Sequence, residues 1–304
     1  MTGGVKAPLF FAALPARGSR RRTTQGKTKM RKEILLVSLL VLAAFSSMAE
    51  WRIGDKESIL FAGDGVIVSG CAGKPFQGFR FLVEEALRGA GISVKTVSKG
   101  FAKETSGSLL EKMPSLLAAR PDWMILSVGL NDVLGGKTTP EKFRENVAEI
   151  LSLAGKNSVK TIVLTSIVCG DDPTLDVNGK LAPFNLILRE EAGKHSVFLA
   201  DVYKAFSEEL SGPALAPLRE GKLTRYRTSI NGRGNFVIAS LILEALGCSR
   251  EETAGLRARW EEKYPAAVLY LNISFSQFLH CGNEGAKTGK SVKEHISAKV
   301  KNGR

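Results

Sequence analysis

A chain of 304 residues, 44% hydrophobic and 24% charged, is globular in composition and long enough for one large domain or two small ones; disorder over most of its length is excluded. Its 31 glycines, 11 prolines and 4 cysteines also exclude collagen-like repeats and a dense disulfide framework. The net charge of +13 is concentrated at the ends, with nine Lys/Arg against Glu33 in residues 1–49 and six against Glu294 in residues 287–304. The central body is near neutral, so no nucleic-acid partner is implied.

In chain order, residues 1–29 are basic and without periodicity, and read as a disordered or misassigned start before Met30. Met30-Arg-Lys, the apolar run Ile34–Phe45 and Ser47-Met-Ala49 form the n-region, h-region and small-residue cleavage site of a secretory signal over 30–49. A dozen apolar residues fall short of the ~20 that a helix needs to cross a bilayer. Export to the periplasm or exterior is therefore expected, with no stable membrane span after cleavage.

Beyond Glu50, apolar runs alternate with helical periodicity. Ser58–Ala62 reads as a strand, Pro75–Gly89 as a helix, Ser93–Ser98 as a strand and Thr105–Ala119 as a helix. Trp123–Val128 is a continuous buried strand, Glu141–Lys156 a helix, Lys160–Ser166 a strand, Pro183–Lys194 a helix, Val197–Val202 a strand and Gly234–Leu246 a last helix. This alternation predicts an α/β fold, a flavodoxin-like parallel sheet between two helical layers. Ligands of such sheets sit beyond the carboxyl ends of the strands. The chemistry should then lie in Gly63–Gly70, Gly100–Thr105, Gly129–Gly135 and part of 211–233. Cys71, Cys169, Cys248 and Cys281 show no C-x-x-C pair and no zinc spacing, so they read as buried apolar thiols, with no metal or cofactor implied.

Within those loops, Phe61-Ala-Gly-Asp-Gly65, Gly100, Gly129-Leu-Asn-Asp132 and Ile230-Asn-Gly-Arg-Gly-Asn235 follow their strands in order. In these four blocks, residues 56–247 resemble the SGNH (GDSL) hydrolase superfamily. The resemblance implies acyl hydrolysis of an ester, thioester or acylated sugar, without a cofactor. It places the nucleophilic Ser at Gly65, oxyanion-hole donors at Gly65, Gly100 and Asn131, and supporting carboxylates at Asp64 and Asp132. The orienting Asp falls on Tyr226 and the base His on Ser229. The hole is thus retained while all three triad positions are changed.

A weak hydroxyl nucleophile needs a nearby base, and the base an orienting acid. The chain has only His195, His280 and His295. His195 ends a helix before the last strand, where a cation suits the helix dipole, and the other two fall in the tail. Loss of a triad's nucleophile and base costs about 10⁶-fold in turnover. Ser69 and Cys71 remain as alternative nucleophiles, the latter near Lys74 and the start of a helix. Tyr226 and Arg227, where they point inward, would make the cleft polar and cationic and suit a bound anion; otherwise they are solvated loop residues.

After Gly247, Arg250–Lys263 reads as a charged helix docking Leu256 and Trp260 on the domain. Ala267–Phe275 alternates as a strand, and two helical patterns flank Thr288-Gly-Lys290, weakly similar to ribbon-helix-helix modules. Residues 248–304 are therefore a C-terminal extension, and homodimerisation through 267–304 is the expectation it carries. Three functions compete: a degenerate hydrolase binding a small ester or acylated carbohydrate, an active esterase using Ser69 or Cys71, and an interaction protein acting through its tail.

Overall fold

The computed structural model describes residues 50–70, 78–213, 221–225 and 227–264. The putting-in-order of apolar runs into a sheet follows the register of their side chains. Strands β1 (Ser58–Gly63), β2 (Lys95–Gly100), β3 (Trp123–Ser127), β4 (Lys160–Leu164) and β5 (Phe198–Ala200) form a parallel sheet in the order β2-β1-β3-β4-β5. That is the doubly wound order expected from the alternation.

Because side chains alternate across a strand, β1 feeds both faces of the sheet. Ile59 and Phe61 enter one apolar cluster, and Leu60 and Ala62 the other. Helices α2 (Phe79–Gly89) and α8 (Gly232–Ala245) cover the first face. Helices α3 (Ser106–Leu117), α5 (Pro140–Lys156) and α6 (Asp176–Lys194) cover the second. Over the central strands both faces are closed, which accounts for the fully buried run Trp123–Ser127.

Several boundaries depart from the sequence expectation. Gly63–Gly70 and Gly129–Gly135, expected as loops, contain the short helices α1 (Gly65–Gly70) and α4 (Leu130–Gly135). Helix α6 starts at Asp176 and not at Pro183, which lies inside it. The strand expected to reach Val202 ends at Ala200. The Asp201 side chain accepts the Lys204 amide and caps helix α7 (Val202–Ser211). A two-residue pairing, β6 (Thr224–Arg225) with β7 (Ser229–Ile230), precedes α8 and was not foreseen. The last described helix, α9 (Arg250–Lys263), docks as expected: Trp260 is buried with its ring 5.9 Å from that of Phe236, and Leu256 packs beside the same core. Among the described residues, no helix is long and apolar enough to cross a membrane. The expected signal segment, Cys71, Tyr226 and the 267–304 pattern lie outside the described residues.

Candidate functional site

The carboxyl ends of the strands carry a polar network assembled from separate loops. Strand β1 ends at Gly63, Asp64 turns the chain, and Gly65 opens α1. The Asp64 carboxylate is buried; its Oδ1 accepts the Val66 amide at 3.0 Å and the Ser127 hydroxyl at 3.0 Å. Its Oδ2 has no hydrogen-bond partner among the described residues. Burial pushes its pKa up to about 7, hydrogen bonds offset this in part, and the nearby Asp132 charge adds to the rise.

Asp132, in the first turn of α4, accepts the Ser106 amide at 3.1 and 3.0 Å and the Ser106 hydroxyl at 2.6 Å. Asn146 of α5 then donates to that hydroxyl at 3.0 Å. Asp64 thus ties the end of β1 to β3 and α1, while Asp132 ties α4 to α3, with Asn146 of α5 joining through Ser106.

Asn131 lies beside them, half-buried. Its Nδ2 donates to Ala102 O at 3.0 Å and to Glu104 O at 2.8 Å. Both amide hydrogens are thereby committed to the loop after β2, and neither is directed at an oxyanion in this conformation. Gly100 is placed differently. Phe101 N donates to Gly63 O at 2.9 Å, so by strand alternation the Gly100 amide points to the open edge of the sheet. A Cβ at Gly100 would stand 2.7 Å from Ile67 Cγ2, so the loop passes α1 at a distance that only glycine allows. Among the described residues, a Cβ at Gly65 would meet only Ala102 O, at 3.7 Å, an ordinary contact.

The remaining wall is built by a residue that sequence reasoning missed. Asp171, after β4, accepts the amides of Lys222, Leu223 and Thr224 at 2.7, 3.1 and 2.9 Å, and the Thr224 hydroxyl at 2.9 Å. Burial raises its pKa despite these donors. The Gly170 amide donates to Arg227 O at 2.8 Å, and Arg227 sits at φ +66°. Asn231 closes the turn by donating to Gly221 O and capping α8 at the Gly234 amide. This clamp presents β7, with half-buried Ser229, against α1. Gly65, Ser69 and Ser229 therefore share the end of the sheet that holds Asn131 and Gly100. Nothing in the local sequence signals the role of Asp171, because its partners lie about fifty residues away.

His195 lies elsewhere. It caps the C-terminus of α6 ahead of β5, with Nε2 3.8 Å from Glu191 Oε2. That is the opposite end of the sheet from the strand tips, as the dipole argument anticipated. Cys169 and Cys248 are free and buried, with pKa values pushed up to about 11 and about 12 by burial, as expected of inert thiols. Among the described residues, no group of His, Cys, Asp and Glu is arranged to hold a metal ion.

The fold has relatives of known structure. An acetyl xylan esterase is 24% identical over 62% of this chain and 98% of its own, with a TM-score of 0.56. An α/β hydrolase enzyme from the metagenome of Lake Arreo, Spain, is 19% identical over 64% and 97%, with a TM-score of 0.55. A variant of an acetyl xylan esterase from Geobacillus stearothermophilus is 17% identical over 65% and 97%, with a TM-score of 0.56. Catalytic mutants of that last enzyme replace a Ser, an Asp or a His by Ala. At these identities the likeness is one of fold. No curated protein matches the chain by sequence. Residues 61–218, just over half of the chain, match the GDSL-like Lipase/Acylhydrolase family, and the chain belongs to that family.

Proposed function

We propose that this chain is an exported member of the family that binds an ester or acylated glycan at the strand tips without hydrolysing it by the family mechanism. The observation that carries the reading is Gly65, which opens α1 where the family resemblance places the nucleophile. It offers no side chain, although an added Cβ would make only ordinary contact among the described residues. The changed positions at Tyr226 and Ser229 support it, as does the placement of His195 at the far end of the sheet. His280 and His295 lie outside the described residues. The relatives named for acetyl xylan make an acetylated xylo-oligosaccharide the first ligand to try. Export rests on the Met30–Ala49 pattern.

A second reading keeps catalysis through an unaligned nucleophile. Ser69 favours it, because it lies one helical turn beyond Gly65 in α1 and is half-buried. Cys71 would serve the same reading.

Titration calorimetry of the full chain with an acetylated xylo-oligosaccharide and its deacetylated counterpart tests the binding proposal. The acetylated ligand should bind and stay intact, with the deacetylated one at least about tenfold weaker, a difference of ~1.4 kcal/mol. Equal affinities, or no binding of either, would remove the support for an acyl-recognising cleft.

A further inference from the structure

A second concave site lies away from the strand tips, on the flank of the sheet. Strand β2 is an edge strand, and the register Ser58↔Lys95, Leu60↔Val97 and Ala62↔Lys99 puts Lys95, Val97 and Lys99 on the face that α3 covers. Helix α3 packs over β1 but leaves β2 open. The result is a cleft of about 460 Å³ between the two, floored by Leu60 and Val97 and walled by Leu116, Ala119 and Pro121. This volume is in the range of small-molecule sites, which are mostly apolar with few polar groups.

Its apolar surface is uncovered. Val97 is 37% exposed and Phe101, at its upper end, is 44% exposed. The charges around it have one sign: Lys95, Lys99 and Lys112 line the cleft, and no acidic side chain does. Lys112 is committed, lying 2.6 Å from buried Glu104 and 4.2 Å from the centre of the Phe101 ring. Lys95 and Lys99 are exposed, and neither has an ion-pair partner among the described residues. From Lys95 to Phe101 the strand runs ~20 Å. An apolar trough of that length with two uncommitted ammonium groups on its rim complements an extended chain bearing one anionic head.

We propose that the β2–α3 cleft binds a free long-chain carboxylate. Its alkyl chain lies along Leu60, Val97 and Leu116, and its head pairs with one of the two rim lysines, Lys95 or Lys99, which stand ~13 Å apart along the strand. Most of the cleft lies along the flank of β2 away from the strand tips, and only Lys99 and Phe101 adjoin Gly100 at the carboxyl end of that strand.

The experiment titrates the full chain with dodecanoate, dodecanol and dodecyltrimethylammonium, then repeats it on Lys95→Glu/Lys99→Glu and on Val97→Ser. These side chains are exposed, so the variants should fold, which circular dichroism checks. Dodecanoate should bind best. Its affinity should fall about tenfold or more in the double charge reversal, and with rising salt, since surface charges are screened. Val97→Ser should weaken all three ligands together. Dodecanoate binding unchanged in the double reversal would place the ligand elsewhere and overturn the proposal. Equal binding of the alcohol and the acid would do the same. A concentration-dependent dimer that Val97→Ser dissociates would assign this edge to a second copy of the chain, also against the proposal.

Discussion

Gly63→Ala should abolish stable folding or lower the unfolding free energy by ~3–5 kcal/mol, whereas Gly65→Ala, two residues on, should cost less than about 1 kcal/mol. Gly63 holds φ +138°, a conformation L side chains rarely adopt, and a Cβ there would stand 1.8 Å from the Ser127 carbonyl oxygen. That carbonyl cannot step aside, because it accepts the Asp64 amide at 3.0 Å in the middle of the site. Strain and overlap each cost ~1–3 kcal/mol, against a total stability of ~5–15 kcal/mol for a typical domain. Gly65 has no positive φ, and its added Cβ would make ordinary contact at 3.7 Å. Urea unfolding of both variants, followed by circular dichroism, checks the contrast. Equal losses would mean that the tight passage of β1 past β3 is wrongly described.

Stability should fall as pH rises from about 4 to about 7, and Asp64→Asn should flatten that slope. The sign follows from proton counting. With the folded-state pKa of Asp64 raised from 3.8 to about 7, the native chain binds more protons than the unfolded chain between those values. Each rise in pH across the window therefore favours unfolding. The contribution is fully present below the unfolded value and lost above the folded one. An interval of this size corresponds to about 4 kcal/mol. The cause is geometric: Asp64 is fully buried, Oδ2 has no hydrogen-bond partner among the described residues, and Asp132 is a neighbouring carboxyl group. Asn at 64 retains an acceptor for Val66 N and Ser127 Oγ while removing the ionisation. Chemical denaturation at several pH values from 4 to 8, for both proteins, gives the two slopes. A wild-type slope of the opposite sign that persists in Asp64→Asn would show that other groups dominate.

Much of the fold was legible because its strands are buried on both faces and therefore read as unbroken apolar runs, Trp123–Ser127 most plainly. Helix α6 was half hidden for a physical reason. In the unread stretch before Pro183, Asn178 occupies a buried position, where it accepts the Cys169 amide and so holds the loop after β4. Polar residues spent on a neighbouring loop break the apolar period that marks a helix. Helices α1 and α4 were missed because each is six residues long and glycine-bounded, which reads as a turn.

At the site, the strand-tip positions of Gly65, Gly100, Asn131, Asp64 and Asp132 were readable from the order of the blocks. What they bond to was not. The commitment of Asn131 to Ala102 and Glu104, and the hold of Asp171 on residues 222–224, depend on long-range approach that no local pattern encodes. The first of these bears on function. An oxyanion entering this cleft would have to displace one of the two carbonyls from Asn131 before receiving its amide hydrogen, a cost of ~0.5–1.5 kcal/mol for one exchanged hydrogen bond. On the proposed reading, that cost is small beside the ~10⁶-fold penalty that loss of a triad's nucleophile and base carries.

Hydrolysis of p-nitrophenyl acetate by the full chain, with Gly65→Ser and Ser69→Ala beside it, separates a binding cleft from a catalytic one. No turnover above buffer is expected from any of the three, because a serine placed at 65 still meets no imidazole among the described residues at the strand tips. Turnover by the unmodified chain that disappears in Ser69→Ala would contradict this expectation and name the nucleophile. Strong turnover in Gly65→Ser alone would contradict it differently, by revealing a base that awaits only its hydroxyl.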